Sequence, residues 1–129
     1  MKQVYPVILT PEDKGFSVFI PDFSANTQGE TLTEAIEMAR DAIGLMGITL
    51  EDTHRALPKP SALDTVPREP IDIATLVDVD FEEYRRQNDM RSVRRNVTLP
   101  AYLDAAASKS HINVSAVLQN ALKQELNIA

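Results

Sequence analysis

Two periods of hydrophobic spacing alternate along the chain. Residues 2–10 are rich in β-formers and read as a strand. Pro6 has no N–H to donate, so this is expected to be an edge strand or one whose donor side is free. Pro11 to Gly15 reads as a turn. Phe16, Val18 and Ile20 then alternate with polar or outward positions, which predicts a hairpin with the first strand. A third short strand is expected from Asn26 to Gly29.

The spacing next becomes helical. Thr31-Leu32-Thr33-Glu34 fits a capping box, in which Thr and Glu side chains satisfy free N–H groups. Leu32, Ala35, Ile36, Ala39, Ile43 and Met46 continue as an apolar stripe, while Gly44 and Gly47 are expected to weaken its end. Pro58, Pro60, Pro67 and Pro70 impose an extended connection. The β-branched run at 71–79 predicts a further strand in the same sheet. Asp80 can cap a short polar helix, Phe81 to Asn88, expected to act as a spacer.

The final 39 residues follow their own pattern. Val93 to Leu99 reads as a strand. Pro100 begins a helix, with Tyr102, Leu103, Ala106 and Ala107 on its apolar side. A polar turn at 110–113 follows, with Asn113 as N-cap. Val114, Val117, Leu118, Ala121, Leu122 and Leu126 stripe a second helix.

One strand and two helices of this size cannot bury a sufficient core alone. A lone strand also leaves backbone groups without partners. Two copies that pair their strands antiparallel and interlock their helices solve both problems, so a homodimer is expected through 92–128. Further pairing of dimers is left open. With Val97 and Leu99 facing the helices, Arg94, Asn96 and Thr98 face outward at two-residue spacing. A two-stranded ribbon fits the major groove, where Arg pairs guanine, Asn pairs adenine, and Thr contacts either polar edges or a thymine methyl. Arg95, of inward parity, is expected to bend to a phosphate or a neighbouring acid. The N–H groups from Asn113 to Ser115 are placed to clamp a phosphate.

Charge divides the chain in the same place. Residues 1–90 carry eight Lys/Arg against seventeen Asp/Glu, a balance of −9, whereas 91–129 carry five against two, a balance of +3. An acidic body with a basic tail suggests two kinds of partner. The chain has 129 residues and no cysteine, which excludes thiolate metal sites and cysteine nucleophiles. No apolar run approaches the ~20 residues of a membrane helix, and the N-terminal residues lack a signal-peptide core, so a cytoplasmic protein without membrane contact is expected.

Catalysis finds little support. Metal-dependent nuclease chemistry needs converging carboxylates. The candidates Asp22, Glu37, Asp72 and Asp78 share no local motif. His54 and His111 are far apart and lack zinc-pair spacing. No Walker loop, serine elbow or dinucleotide fingerprint occurs. The reading is a non-enzyme without cofactor or metal.

Residues 92–127 resemble the ribbon-helix-helix DNA-binding family, through Arg-Arg-Asn-Val-Thr-Leu-Pro at 94–100 and Asn-Val-Ser-Ala-Val-Leu-Gln-Asn-Ala-Leu at 113–122. The resemblance assigns base reading to Arg94, Asn96 and Thr98 and phosphate clamping to Asn113 and Ser115. Residues 1–79 resemble the N-terminal domain of HicB-type antitoxins, through Tyr5-Pro6-Val7, Gly15-Phe16-Ser17-Val18 and the run Thr27-Gln28-Gly29-Glu30-Thr31-Leu32-Thr33-Glu34-Ala35. Ser24-Ala25-Asn26 stand where that family often has Gly-Cys. The resemblance implies an α+β protein: a partial ribonuclease-H-like β-β-β-α-β domain at 1–79, a linker at 80–91, and a ribbon-helix-helix dimerisation domain at 92–129. It also implies a type II toxin–antitoxin function. The partner would be HicA, a small basic ribonuclease with a double-stranded-RNA-binding-like fold and an essential histidine. The chain would inhibit it and repress its own operon at operator DNA. Asp22, Phe23 and Asn26, near the signature run, are the expected toxin contacts. The rival reading is a ligand-responsive ribbon-helix-helix repressor with no toxin partner.

Overall fold

The computed structural model describes residues 1–88 and 92–128. The chain divides into two units, residues 1–91 and 92–129. In the first, β1 (Lys2–Glu12), β2 (Gly15–Ile20), β3 (Ala25–Gly29) and β4 (Ile73–Asp80) form one sheet. Helices α1 (Leu32–Asp52) and α2 (Phe81–Asn88) complete the unit. The order is β3-β2-β1-β4, and every neighbouring pair is antiparallel. This is a mixed α+β arrangement.

β1 is an interior strand, and of the two arrangements its proline allowed, the one with a free donor side holds. β4 pairs with residues 2–9 and β2 only with residues 8–12. Pro6 lies before the β2 ladder begins, where β1 is paired on one side only. The missing donor is therefore tolerated. The hairpin closes through Asp13 and Lys14 into Gly15 at φ 98°, in the left-handed region. A Cβ there would run into the Gly29 carbonyl, so both conformation and contact demand glycine.

Strand alternation builds the core. Tyr5, Val7 and Leu9 of β1, Val18 and Ile20 of β2, and Val77 and Val79 of β4 point to one face. Ala35, Ala39 and Ile43 of α1 cover them. α1 starts at the expected Thr31 cap, with Thr31 Oγ1 accepting from the Glu34 N–H at 3.0 Å, one half of the capping box. It does not weaken at its glycines, however. Gly44 and Gly47 are buried, and a Cβ at either would overlap the Tyr84 or Phe81 ring. α2 is correspondingly no free spacer. Asp80 caps it, accepting from Glu82 and Glu83 N–H at 3.1 and 3.2 Å, and Phe81 joins the core at 2% exposure. In the segment expected as a linker or short helix at 80–91, residues 81–88 form α2 and belong to the first unit.

The second unit holds α3 (Ala101–Lys109) and α4 (Val114–Glu125). Asn113 caps α4, its side chain accepting from the Ala116 N–H at 3.1 Å. Residues 93–99, expected as a strand, form no regular element in the single chain. A strand exists only as half of a ladder, and this segment has no second strand beside it here.

Candidate functional site

In the first unit the sequence candidates Asp22 and Phe23 sit on a one-turn 3-10 helix, Pro21–Phe23, that follows β2. Phe23 is 8% exposed and meets Tyr5 edge-on, with ring centroids 4.9 Å apart. It contributes mainly to the core, and only its outer edge can reach a ligand. Tyr5 donates its phenol to the Pro58 carbonyl at 2.8 Å. Burial, and next the charge of Asp22, raise the pKa of that phenol. Ser61 donates its N–H to Asp22 at 3.0 Å and its hydroxyl to the other Asp22 oxygen. The proline-rich connection is thereby fastened to the 3-10 turn.

These contacts frame a cleft of about 550 Å³. Asp22, Phe23 and Ser24 form one wall, and Leu45, Met46, Thr49 and Leu50 of α1 form the other. Ala56 and Pro58 close one end. The chain reaches that end because α1 stops in a tight reversal. His54 takes the left-handed conformation at φ 57°, while His54 and Arg55 N–H groups bond back to Glu51 and Leu50 carbonyls at 3.1 and 2.8 Å. The α1 wall was not foreseen. Its signal was Leu45 and Leu50, apolar residues on either side of Gly47 and off the main stripe.

Asn26 lies elsewhere. It pairs with Phe19 across the β2–β3 ladder and is exposed. The core residues Val18 and Ile20 alternate with Phe19, so Asn26 and Phe19 occupy the sheet face turned away from α1. The expected toxin contacts thus fall on two surfaces.

The carboxylates weighed for catalysis are not assembled. Asp72 accepts from Thr10 Oγ1 at 2.7 Å, and that bond holds its pKa below the usual carboxylate range. Asp78 is held low by Lys2 and Arg40, at the other end of the β1–β4 ladder. Asp22 is engaged by Ser61. Among the described residues, no group of three or more Asp, Glu or His side chains could hold a metal ion.

In the second unit, Arg94, Arg95, Asn96 and Thr98 are all exposed along the 92–100 segment. Ser115 lies in the first turn of α4, where helix geometry leaves the Val114 and Ser115 N–H groups without intrahelical acceptors. Asn113 spends its side-chain oxygen on the Ala116 N–H. Its value at this site is to fix the helix start. No residue of α3 or α4 is buried, and Val117 and Leu122 of the α4 stripe stay 56% and 49% exposed.

The fold has solved counterparts. A chain of a toxin–antitoxin complex from Streptococcus pneumoniae superposes with a TM-score of 0.61 at 22% identity, covering 97% of this chain and 99% of that one. The antitoxin HicB of Burkholderia pseudomallei gives 0.55 at 26% identity, with 97% of each chain covered. A chain of the HicA3 and HicB3 toxin–antitoxin complex gives 0.50 at 21% identity, over 60% of this chain and 99% of that one. No curated relative matches the sequence significantly. The sequence itself matches, over residues 5–122, the family described as the HicB_like antitoxin of bacterial toxin–antitoxin systems. That match takes in both units, and the chain belongs to the HicB-like antitoxin family.

Proposed function

We propose that this chain neutralises a small basic HicA-type ribonuclease through its first unit and represses its own operon through its second. The observation that carries the reading is the family match over residues 5–122. The solved complexes of related fold supply the class of partner. The −9 balance of residues 1–90 supports it, because an acidic surface attracts a basic nuclease and competes with the charge of its RNA. In this reading the β-β-β-α-β order is a partial ribonuclease-H-like fold, and the cytoplasm is where the complex forms.

The second unit is read as a ribbon-helix-helix module. Two copies of 92–100 pair as a ribbon, with Arg94, Asn96 and Thr98 on the major-groove side and Arg95, Asn113 and Ser115 near phosphates. The support is the uncovered α4 stripe, which needs a partner surface, together with a backbone segment that needs a ladder.

The test is co-expression from the native locus. The chain should co-purify with a short basic protein encoded beside it and restore growth arrested by that protein. The purified pair should bind a fragment of its own promoter. A chain that binds the promoter only with an added small effector, and captures no protein, would overturn the reading.

A further inference from the structure

We infer that the cleft between the Pro21–Phe23 turn and the second half of α1 receives an apolar anchor side chain of the small basic partner. This rests on the antitoxin reading given above. The two rim residues on α1, Leu45 and Met46, are 54% and 36% exposed, so apolar surface is already open at the mouth. The opposite wall is held in place before any partner arrives. Phe23 is set against Tyr5, Tyr5 is bonded to Pro58, and Asp22 is bonded twice to Ser61. A preformed apolar pocket avoids the ordering cost that a mobile surface incurs on binding. Binding energy concentrates in such desolvated pockets rather than in the polar rim around them.

Charge selects the occupant. A second copy would bring another −9 unit against this one, whereas a basic protein is drawn toward it. Asp22 places a carboxylate at the edge of the apolar floor. An apolar anchor flanked by a Lys or Arg therefore meets both chemistries at once. The depression lined by Glu12, Glu30 and Glu34 offers charge but lacks a comparable apolar wall. The sheet face carrying Phe19 and Leu76 offers apolar groups outside the cleft.

The experiment is titration calorimetry of the full chain with an inactivated form of the basic protein from its operon. Leu45→Gln and Met46→Gln remove apolar surface without adding charge, and both positions are open enough for the fold to persist, as melting curves will verify. Each should weaken binding by about tenfold or more. Asp22→Asn should weaken it less. Phe19→Gln and Leu76→Gln, on the other face, should stay within about threefold of wild type. If wild type binds and the cleft variants bind equally well, the cleft assignment is overturned while the antitoxin reading stands. Loss confined to Phe19→Gln and Leu76→Gln overturns it in favour of the sheet face. A change in self-association with unchanged toxin affinity overturns it in favour of a second copy. If wild type itself fails to bind, the antitoxin reading falls and takes the cleft assignment with it.

Discussion

His54 and His111 occupy the same structural position, each being the left-handed residue that ends a helix. Their φ angles are 57° and 54°. In each case the residue's N–H bonds three residues back and the next N–H bonds five back, the double closure of a Schellman motif. Asn127 closes α4 in the same way at φ 55°. Glycine holds this position in many helices, because a Cβ is strained in the left-handed region. His54 is exposed, so its side chain offers little in compensation. His54→Gly is expected to stabilise the chain by roughly 0.5 kcal/mol, the relief of strain exceeding the added flexibility of the unfolded chain. Urea denaturation measures this. A loss of stability would mean that the imidazole makes a favourable contact.

Gly44 and Gly47 stand three residues apart on α1, and Tyr84 and Phe81 stand three apart on α2, so each ring seats on one glycine. Gly47→Ala sets two effects against each other. Alanine favours a helix interior by about 1 kcal/mol. Overpacking a full core costs roughly 1–3 kcal/mol. Phe81 is only 2% exposed and has little room to yield, so overpacking should win by about 1–2 kcal/mol. A denaturation midpoint at or above wild type would show that the helices separate easily.

The same glycines mark where the sequence misled. Composition makes Gly44 and Gly47 look like a weakening of the helix end, because propensity is local and the rings that need the space lie 34 and 40 residues away in the chain. α2 looks like a spacer for the related reason that its apolar anchors, Phe81 and Tyr84, are too few to form a stripe. Pro6 left an edge strand or a free donor side open, since nothing local reveals that β2 stops pairing at Ile8. By contrast, Thr31 with Glu34, and Val18 with Ile20, act within a few residues and were legible. The site divides likewise. Asp22 and Phe23, named from the loop sequence, line the cleft, but Leu45 lies off the α1 stripe and its place in the opposite wall is visible only once the 3-10 turn is set across from it.

Tyr84 gives a pH signature. Its hydroxyl donates to Asp41 Oδ1 at 3.0 Å. Burial, then that bond and the Asp41 charge, push the phenol up to about 12. An unfolded tyrosine titrates near 10. As pH rises the unfolded chain therefore loses its proton first, which favours unfolding. The contribution is whole below about pH 10 and disappears as pH climbs toward 12. Tyr84→Phe should be less stable than wild type at neutral pH, and the gap should narrow between pH 10 and 12. Melting temperatures of the two proteins across that range check it. A constant gap would mean that the phenol is not perturbed in the folded chain.

The proposed DNA contact and the proposed dimer of the second unit can be tested by separate substitutions. Asn96 is exposed, and the proposal places it on the outer side of a ribbon, where its amide can pair with adenine. Asn96→Ala should therefore cost roughly 1–3 kcal/mol of operator affinity and relax base preference, leaving the dimer and the toxin complex intact. Leu118 lies in the α4 stripe and is only half-covered in the single chain. Leu118→Asp would place a carboxylate in the proposed apolar interface between copies, where an unpaired charge is strongly disfavoured. This variant should lose both the dimer and all operator binding, because a single copy cannot form a two-stranded ribbon. Light scattering after size exclusion, alongside a gel shift, separates the two outcomes. If Leu118→Asp remains dimeric, the stripe does not join the copies. If Asn96→Ala binds operator as well as wild type does, the outward face of the segment carries other residues.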